Sequence, residues 1–190
     1  ELIDIAKSAG ADIVKFQLFV ADKLTTKKAE LADYQKKNIS NDLLHSQHDM
    51  LQKLELSPSV FLRLSDYCSR QGIEFLSTAF DTESLNFLVN ELGLKKLKIA
   101  SGELTNAPFL LEHARTGKDI ILSTGMSTLP EIKEALGIIA FGYLDIDGYP
   151  SKALISEIMK SNEASEIISQ RVTLMHCTTA YPAPIEQLNL

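Results

Sequence analysis

Cysteines, long apolar runs and glycine-rich phosphate loops are scarce or missing in this chain, and each shortage removes a class of protein. Only two cysteines occur in 190 residues. Cys68 lies in a helical pattern and Cys177 at a strand end, which reads as reduced thiols rather than a disulfide scaffold and points to the cytoplasm. Nowhere does the sequence approach the roughly 20 apolar residues of a membrane span, and its N-terminus lacks the charged start and apolar core of a signal peptide. There is no Gly-x-Gly-x-x-Gly fingerprint and no phosphate-loop motif, so the commonest nucleotide readings fall away. Positive charge is also in deficit, with 19 Lys and Arg against 25 Asp and Glu and a net charge of −6. That balance argues against nucleic acid or an anionic membrane as partner, yet leaves room for a local cationic pocket holding a small anion.

What is present suits one globular domain with a sizeable core, at 45% hydrophobic residues. The chain opens at Glu1 in helical rhythm, with Leu2, Ile3, Ile5, Ala6 and Ala9 on one face, so it is expected to begin inside an element and to be a piece of something longer. Gly10 stops that helix before a strand at Ile13 to Phe16. The polar stretch from Ala21 to about Gln47 is long for a loop in a compact domain and reads as a functional or partner-facing excursion, with a short helix near Lys27 to Lys37. Ser57-Pro58 signals the start of a helix ending near Gly72. Then come a strand at Glu74 to Thr78, a helix from Asp81 with Gly93 after it, a strand at Lys96 to Ala100 and a helix at Pro108 to Arg115. A strand at Asp119 to Ser123, a helix from Leu129 and a strand at Val172 to His176 complete the series. The segment 141–171 exceeds one crossover and is treated as an insertion, with a turn at Asp145 to Pro150 and extra helix over Ser151 to Ser169.

Such alternation implies an α/β protein with a parallel sheet and right-handed crossovers. Five strands do not close an eight-stranded barrel. Either the sheet is open and doubly wound, or the chain is an incomplete (β/α)8 TIM barrel lacking its first strand and its last two. In both cases the strands' carboxyl ends gather on one face, where sites of α/β proteins are built.

Several strands end in chemistry-bearing residues. Lys15, between Val14 and Phe16, either faces an anion or reaches solvent at a sheet edge, and Gln17 shares its strand face. Lys98, between Leu97 and Ile99, repeats the pattern, whereas Lys96 opens its strand and is read as solvated at the opposite mouth. Thr78, Ser101 and Ser123 place hydroxyls at three successive strand ends, and hydroxyl donors complement lysine charge around a phosphate. Glu103, after Ser101-Gly102, could accept from a sugar hydroxyl, act as a base, or cap the following helix. His176-Cys177-Thr178-Thr179-Ala180-Tyr181-Pro182 brings hydroxyls and a ring to the same mouth, with Cys177 read as a small core residue rather than a nucleophile. His45, His48 and Asp49 have a spacing that could hold a metal but read rather as a solvated loop or partner contact, and His113 reads as structural.

Taken together, the segments Gly10 to Gln17, Leu54 to Ser57, Glu74 to Asp81, Lys98 to Glu103, Ile121 to Met126 and His176 to Pro182 resemble the sialic acid synthase family over nearly the whole chain. The resemblance implies a (β/α)8 barrel followed by a small antifreeze-like domain, absent from residues 1–190, that completes the partner's site in a swapped homodimer. It implies condensation of phosphoenolpyruvate with N-acetylmannosamine or a related N-acylated hexosamine, giving a nine-carbon 2-keto acid and phosphate. By this resemblance Lys15 and Lys98 would take the catalytic role and hold phosphoenolpyruvate with Thr78, Ser101, Ser123 and Thr179, while Gln17, Glu103 and Tyr181 would face the sugar. Thr179 stands where some members carry asparagine, and Ala79 where proline is common. A divalent cation, Mn or Mg, polarises the sugar aldehyde in the family. Its histidine ligands lie beyond Leu190 and a catalytic glutamate before Glu1, so residues 1–190 alone are expected to be inactive. Two other readings stand beside this one: a Schiff-base aldolase using Lys98, and a non-catalytic sugar-binding protein on the same fold.

Overall fold

Helix signals and strand signals alternate along the computed structural model of the chain, which describes residues 1–38, 46–179 and 182–188. The chain divides in the main into two compact units, Glu1–Phe87 and Leu88–Thr179.

The first unit contains α1 (Leu2–Ser8), β1 (Ile13–Leu18), α2 (Ala21–Leu24), α3 (Asp33–Asn38), α4 (Gln47–Leu54), α5 (Pro58–Gln71), β2 (Glu74–Ala79) and α6 (Thr82–Asn86). Proline in the first turn starts α5, while the Ser57 hydroxyl meets Ser59 Oγ at 2.9 Å instead of capping. Gly72 ends it at φ 66°, in the left-handed conformation that costs glycine least, and its amide closes the last turn on Ser69. β1 and β2 pair in parallel, with Lys15 opposite Leu76 and Gln17 opposite Thr78. Strand alternation therefore puts Val14, Phe16, Phe75 and Ser77 on one face and Lys15, Gln17, Leu76 and Thr78 on the other. The first face packs on α5: Phe16 stacks on Phe75 with centroids 5.3 Å apart, and the fully buried Phe61 meets both rings edge-on.

Among the described residues the excursion after β1 carries two short helices, α2 and α3, instead of one helix near Lys27 to Lys37, and α4 follows it. The Ala29 carbonyl accepts from the Gln47 amide, a long-range tie that takes it out of any local helical ladder. Asp22 accepts from the Nε2–H of the buried His48 at 2.9 Å, joining α2 to α4, and the Ala21 amide donates to Glu55. His45 lies outside the described residues.

The second unit contains β3 (Lys96–Ile99), α7 (Ala107–Arg115), β4 (Asp119–Ser123), α8 (Leu129–Tyr143), α9 (Lys152–Ile158), α10 (Asn162–Arg171) and β5 (Val172–Met175). The helix expected from Asp81, with Gly93 after it, is α-helical only to Asn86 and continues as a π turn over Phe87–Glu91. β3, β4 and β5 pair in parallel. Ile99, Ile120 and Leu122 point into a core with Leu110, Leu111, Ile138, Ile139 and Phe141 of α7 and α8. Asn106 caps α7, and Thr128 with Glu131 forms a reciprocal capping box on α8. Phe141, where the stretch read as an insertion was expected to begin, is a fully buried part of α8. The extra helix of that stretch is two helices: Ser161 caps α10 through the Ala164 amide, breaking the run expected from Ser151 to Ser169. Ile155, Ile158 and Ala164 bury themselves in the same core, so this stretch is part of the packing.

Candidate active site

In the second unit the register that sends Ile99 and Leu122 into the core turns Lys98, Ile121 and Ser123 to the opposite sheet face, joined there by Thr173 and Met175 of β5. Lys98 is only 7% exposed. A buried ammonium needs oxygen partners, and Lys98 Nζ donates to the Ile99 carbonyl at 2.6 Å and to Ser123 Oγ at 2.5 Å. Just past β5, Cys177 Sγ lies 3.3 Å from Ser123 Oγ and 3.4 Å from the Met175 carbonyl. Ser101, in the tight turn after β3, accepts from the Gly125 amide at 3.0 Å. The loop after β4 is tied to β5 by the Thr124 amide and hydroxyl, both donating to the Met175 carbonyl. Ser101 and Ser123 thus each accept from a fixed donor, which leaves their own hydroxyl hydrogens to give.

Glu103 lies half-buried in the turn and accepts from the Asn106 side chain at 2.8 Å. It braces the residue that caps α7 and is not itself the cap, since Asn106 Oδ1 takes the Phe109 amide. Thr179 is exposed, and Tyr181 lies outside the described residues.

In the first unit Lys15, Gln17 and Thr78 share the face turned away from α5. Lys15 and Gln17 are exposed, yet the surrounding chain desolvates the Lys15 ammonium and pushes its pKa below the ordinary lysine value. Thr78 is fully buried at the end of β2, and its Oγ1 has no hydrogen-bond partner among the described residues. An orphaned buried hydroxyl costs about 1–3 kcal/mol, so a protein that keeps one has a reason to.

A chain with parallel strand ends carrying this donor set matches the NeuB family over residues 2–190. It belongs to that family. Among curated NeuB-family relatives it is 45% identical to an N,N'-diacetyllegionaminic acid synthase of Campylobacter jejuni and 40% identical to one of Legionella pneumophila, both over the full chain. It covers 49% and 47% of those two proteins, so it spans about half the length of the curated relatives it matches. The structure of an N-acetylneuraminic acid (sialic acid) synthetase from Leptospira borgpetersenii in complex with citrate superposes with a TM-score of 0.70 at 26% identity, over 98% of this chain and 50% of that one. The fold is accordingly of the TIM-barrel type, and the five parallel strands are consistent with an incomplete barrel rather than a doubly wound sheet.

Among the described residues no three His, Cys, Asp or Glu side chains converge to hold a metal ion. The described residues therefore do not by themselves make a site for the expected divalent cation. Also among the described residues, no helix is long and apolar enough to cross a membrane. Lys98, Ser101 and Ser123 carry a strand-end signal in the sequence, whereas Gly125, whose amide donates to Ser101, carries none of its own.

Proposed function

We propose that this chain carries the phosphoenolpyruvate-binding part of a nonulosonate synthase, which condenses phosphoenolpyruvate with N-acetylmannosamine or a related N-acylated hexosamine and releases phosphate. The observation that carries this reading is the buried Lys98 ammonium held against Ser123 at a strand end, with Ser101 presenting a second hydroxyl after the same strand. These groups suit a phosphate: one fixed positive charge flanked by hydroxyl donors. Lys15 and the orphaned Thr78 hydroxyl are assigned to the same substrate by the sequence resemblance, with Thr179 as a further donor; Gln17, Glu103 and Tyr181 are assigned to the sugar.

In the reaction so read, carbon 3 of phosphoenolpyruvate uses its enol electron pair to form a bond to the sugar's aldehyde carbon, whose oxygen takes up a proton. Water adds at carbon 2, and the C–O bond to phosphate breaks from the tetrahedral adduct to leave the 2-keto acid. Lys98 and the hydroxyls orient the donor and offset its charge, an electrostatic and positional contribution. By the same resemblance the reaction uses Mn or Mg. A homodimer and a cytoplasmic location complete the reading, the latter in keeping with the free thiols of Cys68 and Cys177.

Lys98 is held between the Ile99 carbonyl and Ser123 Oγ, a setting that suits a group fixed to face an anion, whereas an aldolase would need Lys98 to attack a carbonyl as a free amine. Phosphate release by the full-length protein with Mn, across a panel of N-acylated hexosamines, tests the proposal. Release that depends on one sugar and yields a 2-keto acid is expected. A borohydride-trapped adduct on Lys98 would replace condensation with an aldolase, and phosphoenolpyruvate binding without turnover would make the protein a binding module.

A further inference from the structure

Gly125 is buried, and its φ is not in the left-handed region, so backbone conformation does not explain a glycine there. Close approach does. A Cβ on residue 125 would lie 3.0 Å from Ser101 Oγ and 3.4 Å from both Ser101 Cβ and the Thr178 carbonyl oxygen. The same residue's amide donates to Ser101 Oγ at 3.0 Å. Because a backbone N–H can only donate, Ser101 Oγ is committed as an acceptor on that side, and among the described residues nothing takes its own hydrogen. The loop that holds Gly125 is pinned on both sides, by Thr124 on the Met175 carbonyl and by the Ser127 hydroxyl on the Gly125 carbonyl at 3.3 Å.

From this we infer that Gly125 is a positioning residue for the anion site, a role that rests on the reading of that site as a phosphoenolpyruvate pocket. Its amide sets the polarity of Ser101, turning the hydroxyl hydrogen out as a donor to the substrate. Its missing side chain keeps that hydroxyl in place. Alanine at 125 keeps the amide but displaces Ser101 Oγ, so the loss it causes passes through Ser101 alone.

The test is a double-mutant cycle on the full-length protein with Gly125→Ala, Ser101→Ala and the two together, read by calorimetric titration of phosphoenolpyruvate and of inorganic phosphate, and by thermal melting. Each single change is expected to weaken phosphoenolpyruvate by about tenfold, the size of one hydrogen bond to a charged group. The double variant should bind no more weakly than Ser101→Ala, because without Oγ the methyl has nothing to displace. Wild-type affinity in Gly125→Ala, or losses that multiply in the double variant, would overturn the role. Should Gly125→Ala fail to fold, recovery of folding in the double variant is expected; failure of both would place the conflict at the Thr178 carbonyl and overturn it. A wild-type protein that binds neither ligand would sink the phosphoenolpyruvate reading and this role with it, while the melting cycle would still report whether the two residues are coupled.

Discussion

Lys98 Nζ on β3 and Ser123 Oγ on β4 are 2.5 Å apart on the sheet face opposite the helix-packed core. Lys98 stands opposite Ile121 in the register, so Ser123 is its diagonal neighbour, two residues on, within reach only of a long side chain. A lysine buried for stability alone would be a poor investment, since replacing buried charge with well-packed apolar groups is often neutral or stabilising. Lys98→Met is therefore expected to leave the melting temperature unchanged or raised while removing phosphate release. Ser123→Ala should weaken phosphoenolpyruvate by about 10- to 100-fold, the range for a hydrogen bond in a charged network. Melting curves and phosphate release on the same preparations check both, and a Lys98→Met variant that retains turnover would exclude the residue from the chemistry.

Thr78 allows a prediction of opposite signs. Its buried Oγ1 has no partner among the described residues. Thr78→Val removes that unsatisfied hydroxyl at nearly constant shape, so the ligand-free protein should gain about 1 kcal/mol. Affinity for phosphoenolpyruvate should fall about tenfold in the same variant. Urea unfolding and titration calorimetry read the two effects; a destabilised variant with unchanged affinity would make Thr78 an ordinary core residue.

His113 sets a pH dependence of stability unrelated to the site. Its Nδ1–H donates to the Phe109 carbonyl at 2.8 Å, and the Phe109 ring lies edge-on at 4.4 Å. Burial lowers its pKa to about 4, from an ordinary value of 6.5. Between those values the unfolded chain binds a proton that the folded one refuses, so stability declines as pH falls from about 6.5 to about 4 and His113 adds no further loss below that. The span corresponds to a few kcal/mol, on the order of 3. Denaturation midpoints of wild type and His113→Leu at neutral pH and near pH 4.5 should differ in slope, with the variant flatter; parallel slopes would count against a buried neutral imidazole.

Gly137 in α8 should not tolerate even alanine. An added Cβ would fall 2.3 Å from Ile155 Cγ2 of α9. Helix propensity alone would favour alanine by up to about 1 kcal/mol, but overpacking costs about 1–3 kcal/mol. Gly137→Ala is therefore expected to be net destabilising, by about 1–2 kcal/mol, and Ile155→Ala should relieve part of the clash in the double variant. Chemical denaturation of the four proteins checks the coupling; a stabilised single variant would mean that α9 does not pack there.

How far the sequence could be read follows from which forces were local. Strand and helix order was legible because period-two and helical apolar patterns, with Pro58 and Gly72 as punctuation, act within a few residues. Lys98 and Ser123 stood out because polar groups closing apolar strands are conspicuous in a linear pattern. The excursion at 21–47 and the insertion were drawn less well. Ala29 is tied to Gln47, and the insertion's helices pack on α8 through Ile155, so long-range contacts decided their shape.

The sequence by itself determined the alternation of elements, the family and the identity of the strand-end donors, since each is a matter of residue type and spacing. Only the tertiary structure decided that Lys98 is buried on Ser123 and that Thr78 is left without a partner among the described residues. It also decided that Gly125 is small because Ser101 lies against it. Those facts depend on register and on close approach between residues dozens of positions apart, where a shift of about 1 Å separates a hydrogen bond from a clash.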